Sequence, residues 1–390
     1  MLKTKNFATL ALEKKCFFKL VCGASLTDID MIEKLSFLFT LAGAHVIDLA
    51  PRADVILACK KGIQKALGRD MPWHVSTPLI MASIQLDKDP HFRKVTVDYN
   101  LCDLCGKCIK ACPTEAFNIN DFKFIAPERK TRELAPEDLS EKQQSVSLPA
   151  PPVAAGSNLR KARWACPRDS KFEERRFIYL EERCFGCGMC PGYCHVNALS
   201  MIETNPTPEE TLKEMIQLRV DSIEFHFGKN YMRIVEIWDK VKNLIKDLNL
   251  LSFSVGSELL SEPEIKEASN LCYKLAGRNI ILQCDGKPMS GGSNFGNNND
   301  NSSIEVAMVI QKENLPVYLQ LSGGTDEHSY KRACNRGVKI SGVAIGSYAR
   351  KLLMPHLKNQ RLMSSREDLH NALEIAKRLV NSIGGSNINV

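Results

Sequence analysis

No apolar run in this chain of 390 residues approaches the roughly 18 residues needed to span a bilayer, so no membrane span is expected. The opening stretch, Met1 to Asn6, is basic, yet it lacks the apolar core and small-residue cleavage site of a secretory signal. Patterning typical of a folded domain starts by Phe17, which argues against a transit peptide. Long runs of one charge are missing too. The net charge of +7 is spread along the chain and interleaved with Asp and Glu. The basic pairs Lys14-Lys15, Lys60-Lys61 and Arg175-Arg176 are too short for a nucleic-acid footprint. The sequence therefore predicts a cytoplasmic protein with no nucleic-acid partner. Hydrophobic and charged fractions of 44% and 25% are ordinary for a soluble protein, and the length suggests two or three domains.

Cysteine is not scarce: the chain has 15. Cys102, Cys105, Cys108 and Cys112 form C-x2-C-x2-C-x3-C before Pro113, and Cys184, Cys187, Cys190 and Cys194 repeat that spacing before His195. This is the run that holds cubane iron–sulfur clusters in bacterial ferredoxins, where the fourth cysteine of each run serves the other cluster. Two-residue gaps wrap a tight loop around three irons, and the last cysteine lies one helical turn further on. Cys102, Cys105, Cys108 and Cys194 are thus expected at one [4Fe–4S] cluster, and Cys184, Cys187, Cys190 and Cys112 at the second. Zinc prefers C-x2-C pairs with a longer gap between them, and a disulfide framework belongs to small secreted domains. A lost or converted cluster is the remaining alternative. The flanks repeat as well, so each unit reads strand, cluster loop, short helix, strand. His195 stands where the motif has Pro, which bears on the local backbone more than on ligation. Cys166 is an extra thiol, read as a spare core cysteine or as a redox-active thiol or substitute ligand.

Elsewhere α and β patterns alternate. Strands are predicted at Phe17–Ala24, His45–Ala50, Pro78–Ser83, Ser222–Phe227, Leu250–Val255, Asn279–Cys284, Pro316–Leu321 and Gly342–Ile345, with amphipathic helices between them. About eight βα units are the number that closes a (β/α)8 barrel. The expected organisation is a first barrel part over 16–85, a ferredoxin-like α+β domain over 86–204 and a second barrel part over 205–384. Within the insertion, 127–158 is rich in Pro, Glu, Ser and Ala and reads as a mobile linker. Because the insertion follows the third strand, it emerges at the C-terminal face, where such barrels carry their sites. An open doubly wound sheet is the alternative.

Side chains at strand ends are the candidates for that face. Glu224 and His226 share one side of the fourth strand with Ser222; they are candidate catalytic residues, or are simply satisfied by each other or by backbone. Asp48, Gln283, Asp285, Gln320 and Cys22 sit at comparable places. The loops carrying Gly323-Gly324 and Gly346-Ser347, with Arg350, follow the last two strands, where barrels bind phosphate at helix N-termini. They are a candidate site for phosphate or a flavin phosphate, with tight ligand-free turns as the alternative. The Gly-rich loop 285–292, running into the Asn-rich tip 294–301, is read as a lid or a disordered tip.

Several stretches together resemble a known family. Phe17-Phe-Lys-Leu-Val-Cys-Gly-Ala-Ser25, Thr40 to Ala44, Val46 to Ala50, the paired cysteine runs, Gln283 to Gly291, Gln320 to Thr325 and Ala344 to Arg350 are similar to the cyanobacterial light-dependent period (LdpA) family. The resemblance implies an iron–sulfur protein that reports cellular redox state to the circadian clock, with the clock-input kinase CikA and the clock protein KaiA as partners. It gives no phosphate or flavin site; those rest on the loops. A redox sensor exchanging electrons with the ferredoxin or plastoquinone pool is the leading expectation, and non-enzymatic action is favoured. An iron–sulfur, flavin-dependent oxidoreductase with its active site at the barrel mouth is the second. A structural adaptor whose clusters only staple a loop is the third.

Overall fold

The computed structural model describes residues 6–122, 174–203, 207–277, 279–287 and 301–384. The expected linker 127–158, Cys166 and most of the Gly- and Asn-rich loop lie outside the described residues.

Helix α1 (Phe7–Glu13) leads into β1 (Phe17–Gly23), α2 (Ile29–Ala42), β2 (Val46–Leu49), α3 (Ala53–Leu67) and β3 (Leu79–Gln85). The cysteine-bearing segment follows as β4 (Lys94–Val97), α4 (Lys107–Ala111), β5 (Phe117–Phe122), β6 (Glu174–Tyr179), α5 (Met189–Tyr193) and β7 (Leu199–Ile202). Alternation then resumes with α6 (Pro208–Gln217), β8 (Ser222–His226), α7 (Arg233–Ile245), β9 (Leu250–Gly256), α8 (Glu262–Ala276) and β10 (Ile281–Asp285). The chain ends through α9 (Ser302–Gln311), β11 (Tyr318–Ser322), α10 (Ser329–Asn335), β12 (Gly342–Ile345), α11 (Ser347–Leu357) and α12 (Arg366–Asn381).

Strands β1, β2, β3, β8, β9, β10, β11 and β12 pair in that cyclic order, each parallel to its neighbours, and close a barrel. Closure removes the open-sheet alternative. Parallel strands buried on both faces need apolar side chains outward against helices. In β1 those are Phe18, Leu20 and Cys22, which join the main core. Cys22 therefore faces the helix layer and not the barrel interior. The strand's period of two instead turns Lys19 and Val21 inward.

Helix α1, which precedes the first expected strand, closes the N-terminal end of the barrel. Ala8, Ala11 and Leu12 pack on Phe17, Val46, Met81, Leu250 and Ile281 at the strand starts. Asp28 caps α2 by accepting from the Met31 amide at 3.1 Å. Ser261 and Glu264 form a capping box on α8.

The cysteine-bearing segment leaves the C-terminal end of β3 and returns through α6 to β8, so it lies over the barrel's C-terminal face. Its strands pair crosswise and antiparallel, β4 with β7 and β5 with β6. Each unit thus lends a strand to the other, as expected of a pseudo-twofold duplication. Anchors to the barrel are specific. The Thr27 amide donates to Glu182 O at 2.9 Å, Arg183 Nε to Asp28 Oδ2 at 3.2 Å, and the Arg350 guanidinium lies 4.5 Å from the Phe185 ring centroid.

Candidate functional site

The two cysteine runs adopt one backbone shape. Leu104 and Gly186, Gly106 and Gly188, and Glu115 and Asn197 hold equivalent positions in the duplication. All six have positive φ: 61° and 74°, 70° and 73°, 52° and 54°. A non-glycine residue held there costs about 1–2 kcal/mol, and the two loops bear that cost at matching positions. Gly186 is also a matter of space, because a Cβ on it would stand 2.3 Å from Arg93 O. The fourth cysteines match as well: the Ala116 amide donates to Cys112 Sγ and the Ala198 amide to Cys194 Sγ, both at 3.2 Å.

One cavity is lined by Cys112 together with Cys184, Cys187 and Cys190, within an apolar wall that includes Val95, Phe117 and Met201. Electrostatics couples the thiols across the two runs. Cys187 and Cys190 both feel Cys112, Cys190 feels Cys108 as well, and Cys102 feels Cys194 and Cys105. Burial, reinforced by neighbouring sulfurs, pushes the Cys108 and Cys187 thiols up to about 11. Thiols so raised stay protonated at neutral pH unless a metal ion displaces the proton, which coordination does outright. Four sulfurs around one apolar-walled cavity are a donor set that fits a cubane cluster. His195 lies at the exposed edge of this domain. Its Nε2 is 3.0 Å from Asp103 Oδ2 and its Nδ1 is 3.8 Å from Cys105 Sγ.

Beneath the cysteine domain, the upper interior of the barrel is polar. Glu224 is its centre. Its Oε2 accepts from Lys19 Nζ and from Ser252 Oγ, each at 2.6 Å, and its Oε1 accepts from Gln283 Nε2 at 2.8 Å. Gln320 Nε2 donates to Gln283 Oε1 at 2.8 Å, Ser83 Oγ to Asp48 at 2.9 Å and Ser254 Oγ to Asp285 at 2.5 Å. Burial would raise Glu224, but the Lys19 ammonium outweighs it and holds the carboxyl well below its usual range. Burial wins at Asp48 and Asp285, which are raised. Asp89 and His91 enter from the loop after β3, with His91 Nδ1 2.7 Å from Asp89 Oδ1. Burial opposes charge on His91, yet the adjacent carboxylate lifts its pKa to about 9, while Asp89 is held down at about 2.

Glu224 and His226 do meet at the mouth, with Nε2 of the histidine 3.2 Å from Oε1 of the glutamate. The pair lacks an aligned hydrogen bond, and Glu224 accepts instead from Lys19, Ser252 and Gln283. Gly323, Gly324, Gly346, Ser347 and Arg350 line the same narrow pocket as Asp48, Ser83, His91, Glu224, His226 and Gln283. Its volume of about 50 Å³ holds a few waters. Arg350 Nη1 is committed to the backbone oxygens of Val21 and Cys22, each at 2.7 Å. Gly323, at φ 68°, packs on Gly286, whose nitrogen would stand 2.7 Å from an added Cβ; that contact explains the glycine without a ligand. Lys19, Asp89 and His91 were not singled out from sequence. Lys19 had a signal, a charge amid the apolar run Phe17 to Val21. Asp89 and His91 had none, being loop residues placed by tertiary structure.

Comparison with known proteins agrees with the cysteine loops. Residues 94–117 match the family described as a 4Fe-4S binding domain, so an iron–sulfur binding domain is present. Residues 214–382 match the family described as the Light dependent period A C-terminal domain. Light dependent period A of Synechococcus elongatus is 22% identical over 403 aligned residues, which cover 98% of this chain and 96% of that protein.

Proposed function

The chain is a relative of Light dependent period A along nearly its whole length, and from that premise we propose that it acts in light-dependent period control as an iron–sulfur redox sensor. The observation that carries this reading is the cavity formed by Cys112 with Cys184, Cys187 and Cys190. We assign those four to one [4Fe–4S] cluster and Cys102, Cys105, Cys108 and Cys194 to a second. We read the barrel beneath as a (β/α)8 scaffold, its C-terminal face covered by the cysteine domain. Bound in these loops, the clusters supply one-electron transfer at a potential set by the apolar wall and by hydrogen bonds to sulfur. The Ala116 and Ala198 amides make such bonds. Phe185 against Arg350 and Arg183 against Asp28 tie the second loop to β1 and α2, so a change in the loop is transmitted to the barrel.

The cytoplasm is the proposed location; no helix among the described residues is long and apolar enough to cross a membrane. Electron exchange is proposed with the ferredoxin or quinone pool, and signalling to CikA and KaiA. Anaerobic iron and sulfide quantification with EPR on the reduced protein tests the core of this reading. About eight irons per chain with two interacting cubane signals are expected; protein purified anaerobically without iron or sulfide would end it. A second reading, an iron–sulfur oxidoreductase acting on a small ligand, is favoured by the buried Glu224 and His226 and the half-buried His91 around one pocket. Turnover, or a flavin band beside cluster absorption, would favour it over the sensor.

A further inference from the structure

Buried carboxylates crowd the barrel mouth, where Lys19 faces Glu224 and His91 faces Asp89. Asp48, Asp89, Glu224 and Asp285 are all buried there. Among the described residues, the ammonium that reaches them is Lys19, 2.6 Å from Glu224 and 4.0 Å from Asp48. Arg350 lines the pocket but bonds backbone oxygens. Polar atoms are also left without partners. His226 is 3% exposed, and neither of its ring nitrogens has a hydrogen-bond partner among the described residues. Nε2 faces Glu224 at 3.2 Å without alignment, and Nδ1 lies 3.9 Å from Asp89 Oδ2. Asp89 is 2% exposed, and its Oδ2 has no hydrogen-bond partner either. A buried polar atom left without a partner is destabilising, and such groups call for an explanation.

We propose that Asp89, His91 and His226 form a binding site for a divalent first-row transition-metal ion at the barrel mouth. One donor atom from each lies within 4.8 Å of the others. Two imidazoles and one carboxylate are a ligand set that such ions take with coordination positions left open. Here the open positions face the pocket lined by Ser83, Gln283 and Gly324. The supporting shell is already in place. Glu224 is fixed by Lys19, Ser252 and Gln283, and Ser25 Oγ holds the loop by donating to His91 O. The ion adds positive charge among these carboxylates and occupies the unpartnered atoms of His226 and Asp89. It displaces the proton of His91, so binding weakens as pH falls. The site uses none of the motif cysteines and does not depend on the sensor reading.

Zinc is the probe, because its X-ray absorption edge is read separately from iron. The full cluster-loaded chain is equilibrated anaerobically with Zn²⁺, freed of excess metal, and analysed for zinc and iron. About one zinc per chain is expected, with a nitrogen and oxygen shell near ~2.0–2.1 Å and imidazole outer-shell scattering. A sulfur shell near ~2.3 Å, or no retained zinc, would overturn the proposal. His226→Ala and the isosteric Asp89→Asn should retain full iron and bind zinc at least about tenfold more weakly; undiminished binding in both would also overturn it. If either variant loses its fold, the wild-type spectrum decides alone. Iron content in the same samples reports separately on the cluster reading.

Discussion

The cysteine domain and the barrel mouth below it both gather ionisable groups out of water, and they settle the charge in opposite ways. In the mouth the protein supplies much of its own compensation: Lys19 holds Glu224, and His91 pairs with Asp89. In the cysteine domain the sulfurs raise one another, as burial already does, and Cys108, Cys187 and Cys190 sit above their ordinary range. A site of the first kind is folded before its ligand arrives. One of the second kind takes much of its stability from the metal it holds.

The largest effects are therefore expected at the cysteines. Cys112→Ser and Cys187→Ser should each remove about half of the iron and abolish the same EPR signal, although Cys112 belongs to the other run. Cys194→Ser and Cys105→Ser should abolish the second signal. If Cys112→Ser instead depleted the Cys105 signal, the crossed assignment would be wrong. Next in size is Lys19→Met. It leaves Glu224 as an uncompensated buried charge, which costs about 3–5 kcal/mol in chemical denaturation. A Lys19→Met/Glu224→Leu double variant should recover most of that loss, since an apolar replacement of both partners is often neutral. A single-variant cost below about 1 kcal/mol would show that the mouth is wetter than its burial indicates.

The same contrast governs what could be read from the sequence. The two cysteine loops were legible because a ligand motif has a fixed local spacing. The eight barrel strands were legible because parallel strands buried on both faces read as apolar runs between glycines. Their ends slipped where backbone conformation decides. Asn279 was expected to start a strand, but its φ of 67° breaks the extended chain, and β10 begins at Ile281. Helix α1 escaped notice because seven residues carry little periodicity and its stability comes from plugging the barrel. The mouth was half legible. Glu224 and His226 showed as polar residues on one face of a strand. Lys19 stands 205 residues from Glu224, and Asp89 and His91 sit on a loop, so no local pattern announced their meeting.

In zinc-free protein, pH should separate the pairs within the mouth. His91 rises from an ordinary value of 6.5 to about 9. Its contribution to stability is thus complete below about 6.5 and is lost as pH climbs through about 9. Asp89 falls from 3.8 to about 2, so its share is present above 3.8 and fades as pH drops through about 2. Denaturation midpoints of the wild type should decline between about pH 6.5 and 9, and Asp89→Asn should flatten that slope. An unchanged slope in the variant would separate His91 from Asp89.

The smallest effect is expected where the two regions join. Asp28 has two tasks, capping α2 through the Met31 amide and pairing with Arg183 of the cysteine domain. Asp28→Asn keeps the first, because Asn caps helices about as well as Asp, and removes the charge from the second. Arg183 is 37% exposed, so solvent screens the pair, and its loss is worth no more than about 1 kcal/mol. Iron content should not change, since Phe185 under Arg350 and the Thr27 amide on Glu182 still seat the loop. A marked loss of iron in Asp28→Asn would mean that docking on the barrel holds the second cysteine loop in shape. The difference between a preformed mouth and a metal-dependent domain would then be one of degree.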